Sequence, residues 1–465
     1  MPQFDVIVIG AGPAGENAAG RVAAGGLSTA LIEHQLIGGE CSYWGCIPSK
    51  TLIRPGDVIA AARRVPGAAE AVTGPIDVAA ALAQRDYMTS SWDDSGQVPW
   101  LDENHIALFR GTARLTGPRR IEVTDSSGAV QTLTATRAIV LATGTTAFMP
   151  PIPGLADVQA WTNREVTALK DVPRRLIVLG GGAVGAEMAQ AVRRLGAEEV
   201  TVVEGAPHLL AREEPFAGEE VGTAFAAEGI TLLTRTRVSA VRRTPEGTVQ
   251  ATLDNGDTVT ADELLVAVGR RPATVDLGLE TVGLTPGKPV EVDDRLRATG
   301  IEQDDDPWLY AVGDCNGLAL LTHMGKYQAR IAGDVILGKS ITDRASRDVV
   351  PRVTFTDPQV CAVGLTEAQA RERGYSVKVV TTSTGGVAGA YTSGNGITGT
   401  SQLVVDTDRE VIVGATFTGP GTSELLHSAT IAIAGRVPMS DLWHAVPSFP
   451  TISEVWLRLL EAYGL

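Results

Sequence analysis

The chain has only four cysteines in 465 residues, too few for a disulfide framework. No apolar stretch approaches the about 18 uninterrupted residues that a membrane span needs, which excludes an integral helical membrane protein. Positive charge is also scarce. The 39 basic residues against 54 acidic ones leave a net charge of -15, which repels phosphate backbones and anionic lipid surfaces and argues against a nucleic-acid partner. Residues 1–10 lack the basic stretch, long apolar region and cleavage site of a secretory leader, so a cytoplasmic protein is expected. What remains is a globular chain, 44% apolar and long enough for several cores.

Two segments share one pattern. Asp5-Val6-Ile7-Val8-Ile9 is a short β-branched run, followed by Gly10-Ala11-Gly12-Pro13-Ala14-Gly15, a helical stretch to Ala24 and a second strand near Ser28–Ile32 that ends at Glu33. The arrangement recurs with Leu176–Leu179, Gly180-Gly181-Gly182-Ala183-Val184-Gly185, a helix through Leu195 and a strand Val200–Val203 ending at Glu204. Glycines at these spacings permit a tight turn and close backbone approach, the helix N-terminus faces a pyrophosphate, and the carboxylate accepts from a ribose. Two dinucleotide sites are therefore expected.

The prolines of Met149-Pro150-Pro151-Ile152-Pro153-Gly154 mark a linker between the two folds. Beyond about residue 340, strands such as Arg352–Thr356 and Gln402–Val405 alternate with helices such as Glu367–Arg373 and Ser423–Ala434, which predicts a third domain of α+β type. The acidic run Asp304-Asp305-Asp306 has no histidine nearby and reads as a solvated loop rather than a metal site, and no metal is expected.

The other informative segment is Gly38-Gly39-Glu40-Cys41-Ser42-Tyr43-Trp44-Gly45-Cys46-Ile47-Pro48-Ser49-Lys50. Residues five apart in a regular helix lie roughly 8 to 9 Å apart at Cα, beyond the roughly 4.4 to 6.8 Å that a disulfide spans. A bonded pair thus requires a distorted helix, which Gly45 permits, while Gly38-Gly39 let the chain approach a flat cofactor. A helix N-terminus there favours thiolate over thiol. Tyr43 and Trp44 either shape a substrate cleft or pack the distorted helix. Cys315 and Cys361 have no such setting and read as small packing residues.

With Ala142-Thr143-Gly144, Ala267-Val268-Gly269-Arg270-Arg271-Pro272, Tyr310-Ala311-Val312-Gly313-Asp314 and Phe355-Thr356-Asp357-Pro358 added to these motifs, essentially the whole chain resembles the class I pyridine nucleotide-disulfide oxidoreductases, the group of dihydrolipoamide dehydrogenase, glutathione reductase and mercuric reductase. The resemblance implies an α/β chain with two Rossmann-like dinucleotide-binding domains and a C-terminal α+β dimerisation domain. Residues 1–150 would begin the FAD-binding domain, 151–270 bind NAD(P), 271–340 complete the FAD site, and 341–465 form the interface of a homodimer. FAD would be held by Gly10, Gly12, Gly15, Glu33, Gly39, Lys50, Ala113, Thr143, Gly144 and Asp314, with Glu33 on the adenosine ribose and Asp314 on the ribityl chain. The nicotinamide dinucleotide would be held by Gly180, Gly182, Gly185, Glu204 and Gly269. Electrons would pass from the nicotinamide cofactor through flavin to a Cys41–Cys46 disulfide, with Cys46 the flavin-facing thiolate, Cys41 the interchange thiol, and Lys50 paired with Glu187 beside the flavin. Glu204 favours NADH, because a carboxylate there repels a 2′-phosphate, although Arg212 lies downstream.

One departure stands out. Disulfide-reducing members end with His-Pro-Thr followed by glutamate, whereas this chain reads Phe449-Pro450-Thr451-Ile452-Ser453-Glu454. Phenylalanine cannot shuttle a proton, and general acid–base assistance contributes about 10² to 10⁴ in rate. Mercuric reductases also lack that histidine but carry a C-terminal cysteine pair, whereas this chain ends Leu460-Glu461-Ala462-Tyr463-Gly464-Leu465. The expected acceptor is a small molecule other than lipoamide or glutathione disulfide: a quinone, a metal ion or an unusual disulfide. The alternatives are a dithiol–disulfide reductase with a relocated base, for which His444 is the nearby histidine, and a non-catalytic redox-sensing flavoprotein.

Overall fold

The computed structural model describes residues 1–301 and 306–465, so Asp304 and Asp305 of the acidic run lie outside the described residues. Asp306 pairs with Arg119 at 2.6 Å. The chain forms two compact units. One comprises Met1–Pro48, Asp86–Ala147 and Arg270–Arg347, and the other Ser49–Arg85, Phe148–Gly269 and Asp348–Leu465.

The first unit is built on a seven-stranded sheet. At its centre β1 (Gln3–Ile9) lies parallel to β2 (Thr29–Glu33) on one side and to the strand Val130–Leu141 on the other. Val6, Ile7 and Val8 are fully buried, which is why this strand reads as a continuous apolar run rather than an alternating one. The helix α1 (Pro13–Ala24) follows the glycine turn and buries the small residues Gly15, Ala18 and Ala19. Next come the short helix α2 (Gly39–Tyr43) and the longer α3 (Cys46–Arg63), of which the residues from Ser49 on belong to the second unit.

The second unit carries three sheets. A parallel one orders Ile230–Leu233, Glu199–Val203, Arg175–Leu179 and Glu263–Val266, and repeats the strand–turn–helix of the first unit through the helix Ala183–Arg194. A three-stranded antiparallel sheet covers Val238–Arg243, Val249–Leu253 and Thr258–Ala261. The third is a five-stranded antiparallel sheet near the C-terminus. There Gln359–Gly364 pairs with Val411–Gly419, and the helices Thr422–Gly435 and Val455–Tyr463 bury apolar side chains in the same core. The expected mixed α/β architecture with an α+β C-terminal region is what the structure shows. Among the described residues, no helix is long and apolar enough to cross a membrane.

Candidate active site

The two glycine turns are built alike. Gly10 and Gly180 have φ of +98° and +104°, and a Cβ on either would lie 2.5 or 2.6 Å from a carbonyl oxygen of the neighbouring strand's end, Ala142 or Ala267. Gly15 and Gly185 sit where a Cβ would fall 1.8 or 1.9 Å from the carbonyl oxygen of Gly10 or Gly180, so the helix packs against the turn only without a side chain. At Gly12 and Gly182 nothing lies within 4 Å of the added carbon. These middle glycines line open space at a helix N-terminus, the setting that receives a pyrophosphate.

The acidic residue at the end of each following strand faces the same turn. Glu33 Oε2 accepts from the Ala11 amide at 2.8 Å and Oε1 from the Gln35 amide at 2.6 Å. Glu204 Oε2 accepts from Gly181 at 2.5 Å and Oε1 from Ala206 at 2.7 Å. Burial pushes the Glu33 carboxyl up, but its hydrogen bonds outweigh this and hold it below the ordinary range. Each carboxylate oxygen retains a second lone pair for a ribose hydroxyl. The residues present therefore fit a dinucleotide in each unit.

The first turn has a second layer. The Gly38 amide donates to the Ala11 carbonyl at 2.8 Å, and a Cβ on Gly39, at φ +56°, would lie 2.8 Å from Gly12 Cα. The loop that opens the cysteine segment thus rests directly on the glycine turn. Ala113 is buried on the strand Thr112–Gly117, and Gly144 takes φ +69° with open space at its missing Cβ. Asp314 Oδ2 accepts from Thr145 Oγ1 at 2.8 Å, and burial pushes its carboxyl up. Arg270 Nε donates to Thr145 Oγ1 at 2.7 Å, and its Nη2 lies 3.6 Å from Glu40 Oε2. Gly10, Gly12, Gly15, Glu33, Gly39, Ala113, Thr143, Gly144 and Asp314 fall together in the first unit, and Gly180, Gly182, Gly185, Glu204 and Gly269 in the second.

The cysteine pair occupies a broken helix. The chain leaves helical geometry at Trp44 and Gly45 between α2 and α3, and a Cβ on Gly45 would come within 3.0 Å of the Glu40 carbonyl oxygen and 3.3 Å of Cys41 Cα. The close return that the spacing demands is made where glycine allows it. Cys41 is half-buried, and Cys46 is exposed as the first residue of α3. The Cys46 thiol beside it, together with burial, pushes the Cys41 thiol far above the ordinary range. Cys46 Sγ lies 3.4 Å from Thr322 Oγ1, a contact across 276 positions that no local pattern announces. Tyr43 is buried, and its carbonyl accepts from Trp92 Nε1 at 3.1 Å, so this aromatic packs the break. Cys315 and Cys361 are fully buried, and burial raises both thiols to about 12, as expected of packing residues.

Lys50, one turn after Cys46 on α3, belongs to the second unit with Glu187. Its Nζ donates to Glu187 Oε2 at 2.6 Å, and Glu187 Oε1 accepts from the Phe355 amide at 2.9 Å. The Phe355 ring lies 4.8 Å from Lys50 Nζ, within cation–π range. The sequence marked the lysine and glutamate, and Phe355 as part of a motif but not its contacts with them; Thr145 and Thr322 carried no mark, because their contacts join residues distant in the chain. At the C-terminal end, Phe449 is 75% exposed, while Glu454 is buried and its Oε2 has no hydrogen-bond partner among the described residues. His444 is exposed. The described residues contain no cluster of three potential metal ligands.

Comparison with known proteins agrees with this geometry. Residues 4–332 match the family model described as pyridine nucleotide-disulphide oxidoreductase, and residues 350–459 match that family's dimerisation domain. The chain is 34% identical over 461 residues to a dihydrolipoyl dehydrogenase of Chlorobaculum tepidum, covering 97% of this chain and 95% of the relative. It is 30% identical over 454 residues to a mercuric reductase of Staphylococcus aureus, covering 97% and 81%. Among solved structures, the Cu(II) complex of the HOCl-induced flavoprotein disulfide reductase RclA from Escherichia coli superposes with a TM-score of 0.86 at 26% identity, covering 99% of each chain. LpdA from Mycobacterium tuberculosis gives the same TM-score and identity over 100% of each. Two glycine-turn cradles that fit a dinucleotide, a juxtaposed cysteine pair and a dimerisation domain thus accompany whole-length similarity to flavin-dependent enzymes, and the chain belongs to the class I pyridine nucleotide-disulphide oxidoreductases.

Proposed function

We propose that the protein is a homodimeric, cytoplasmic FAD enzyme that uses NADH to reduce its Cys41–Cys46 disulfide and delivers the electrons to a small acceptor other than lipoamide or glutathione disulfide. Residues 1–150 and 271–340 are assigned to FAD, 151–270 to the nicotinamide dinucleotide and 341–465 to the dimer interface. FAD, when bound, supplies the two-electron relay between nicotinamide and disulfide. Glu33 and Asp314 would hold its ribose and ribityl hydroxyls, Gly10, Gly12, Gly15 and Gly39 would give its pyrophosphate close backbone approach, and the Lys50–Glu187 pair would hold a charge beside it. Glu204, whose two oxygens already take backbone amides, presents an acceptor surface that suits a free 2′-hydroxyl and disfavours a 2′-phosphate.

The observation that carries the choice of acceptor is Phe449 at the position where the resemblance expects a histidine. Reduction of the pair needs no protein acid: NADH plus the disulfide yields NAD⁺, one Cys41 thiol and one Cys46 thiolate, balanced in atoms and charge. Reoxidation by a dithiol-type disulfide is different. Cys41 must then lose its proton to attack, and burial beside Cys46 makes that loss unfavourable. A quinone takes the electron pair together with the Cys41 proton and one proton from water, and a metal ion takes the electron pair while the Cys41 proton leaves to water; in both the disulfide re-forms without Cys41 having first to ionise and attack a substrate sulfur. Relatives named mercuric reductase and a neighbour solved as a Cu(II) complex support the metal arm.

A second reading, a dihydrolipoamide dehydrogenase with a relocated base, is favoured by the 34% identity to a dihydrolipoyl dehydrogenase. One panel separates the two: NADH-dependent turnover with lipoamide, low-molecular-weight disulfides, quinones and metal ions, for wild type and Cys41→Ser. Turnover of quinones or metal ions with little lipoamide reduction is expected. Fast lipoamide turnover, abolished in Cys41→Ser and in His444→Ala, establishes the second reading. Bound flavin that NADH fails to reduce marks a non-catalytic flavoprotein.

A further inference from the structure

Three successive residues outside the motifs, Ser90, Ser91 and Trp92, take left-handed backbone, with φ of +49°, +50° and +60°. We infer that Trp92 is a positioning residue for the cysteine pair: its indole N–H holds the Tyr43 carbonyl at the end of α2, and so keeps the helix broken where the two sulfurs must meet to bond. This deepens the proposed function and rests on it for the redox role of the pair.

Left-handed helical geometry crowds Cβ against the following carbonyl, so a run of three non-glycine residues in it is strained and persists only where its surroundings hold it. Here the three form one turn, with the Trp92 amide donating to the Thr89 carbonyl at 2.9 Å and the Asp93 amide to the Ser90 carbonyl at 3.0 Å. What holds the turn is the cysteine segment itself. Trp92 Nε1 donates to the Tyr43 carbonyl at 3.1 Å, and two residues on Asp94 Oδ2 accepts from the Ile37 amide at 2.7 Å. Arg110 pairs with Asp94 at 2.7 Å and donates to the Gln35 carbonyl at 3.0 Å. Residues 90–94 thus strap residues 35–43, and all of these contacts lie within the first unit.

The anchoring point matters because of where the chain must break. Tyr43 ends α2, and the last carbonyls of a helix have no partner within it. Continued through Trp44 and Gly45 as one regular helix, α2 and α3 would set Cys41 and Cys46 roughly 8 to 9 Å apart at Cα, too far to bond. In the broken chain, the Cys46 thiol and the Cys46 backbone amide both hydrogen-bond the Cys41 sulfur. The indole donor draws the Tyr43 carbonyl towards Trp92 and away from the Ile47 amide, its partner in a continuous helix. Gly45 permits the break, and Trp92 selects it. The contact therefore favours the disulfide over the dithiol, since only the disulfide requires the two sulfurs to stay joined.

The test equilibrates FAD-loaded protein, without nicotinamide, in dithiothreitol buffers of graded oxidised-to-reduced ratio, where disulfide plus reduced dithiothreitol gives the Cys41–Cys46 dithiol plus the oxidised ring. Thiols are trapped with maleimide and the dithiol fraction is counted by peptide mass spectrometry. Trp92→Phe keeps a ring and removes the donor. It is expected to shift the equilibrium about tenfold towards the dithiol, which for a two-electron couple is about 30 mV to the oxidising side. Ser91→Gly keeps the donor and relieves the left-handed backbone, so it should raise the melting temperature and leave the equilibrium within about twofold of wild type. Equal equilibria for wild type and Trp92→Phe, or an equal shift in Ser91→Gly, overturn the inference. So does loss of cooperative unfolding in Trp92→Phe, since the contact then holds the fold rather than the pair. A parallel arm counts trapped thiols in wild type after NADH. No gain of two thiols there refutes the redox reading, while the dithiothreitol comparison stands or falls by itself.

Discussion

The two glycine turns share a strand, three glycines, a helix and a carboxylate, and differ in what closes over them. The first is covered by Gly38 and Gly39, which bring backbone to within van der Waals reach of Gly12 and then open the cysteine helix. The second is covered by Leu209 and Leu210, both buried, with the Leu210 amide donating to Gly181 at 2.9 Å. One cradle is joined by glycines to the cysteine segment, and the other is closed by buried leucines. A common dinucleotide frame thus acquires different duties through the few residues that follow its acidic strand end.

Substitutions at matching positions probe how far the likeness extends. The largest effect is expected from Gly15→Val and Gly185→Val. Each places carbon about 2 Å from a backbone carbonyl oxygen, so the strand–helix unit must open, costing more than about 4 kcal/mol, with loss of cooperative thermal unfolding. If either melts like wild type, the shared packing is not what holds the turns.

Gly12→Ala and Gly182→Ala come next and separate the two cofactors. Both positions have extended backbone, φ −69° and −72°, which alanine adopts, and open space at Cβ. The fold should persist while FAD affinity falls only in the first and NADH affinity only in the second, each by about tenfold to a hundredfold, or about 1.4 to 2.8 kcal/mol. Flavin retention on gel filtration and nicotinamide titration read this out, and a loss of flavin from Gly182→Ala would contradict the assignment. A smaller change is expected for Glu204→Ala, which should weaken NADH by about tenfold and narrow its advantage over NADPH in steady-state kinetics.

A last effect, read in stability against pH rather than in affinity, compares two carboxylates of the first unit. Glu16 lacks the amide donors that hold Glu33 down, and burial raises it to about 7, with the charge of Glu33 adding and Lys326 opposing. A carboxyl whose folded value exceeds its ordinary value of 4.5 contributes stability below that value and loses it as pH rises toward 7. Glu16→Gln should therefore be more stable than wild type by about 1 to 3 kcal/mol above pH 7, the difference vanishing below about pH 4.5 in thermal melts. Glu33 has the opposite sign, its contribution present at neutral pH and lost on acidification.

Much of this was legible in residue order. The runs Val6–Ile9 and Ile177–Leu179, the glycine spacings and the acidic ends Glu33 and Glu204 are local, so periodicity and turn chemistry locate them. The break at Gly45 follows from the reach of a disulfide against the rise of a helix. Contacts made by tertiary closure were not legible. Thr322 meets Cys46 across 276 positions, and Phe355 clamps Glu187 through a backbone amide, which carries no side-chain signature. Phe449 was visible only as a departure from a resemblance, since an exposed phenylalanine has no chemical pattern to mark it.

The central claim is that Phe449 removes the acid–base step and with it the dithiol substrates. It is tested most directly by steady-state NADH–lipoamide turnover of wild type and Phe449→His, beside a quinone or metal-ion control. The account predicts slow lipoamide reduction in wild type and a gain of about 10² or more in the histidine variant, with the control rate little changed. Fast lipoamide reduction by wild type, unaltered by the histidine, would contradict it.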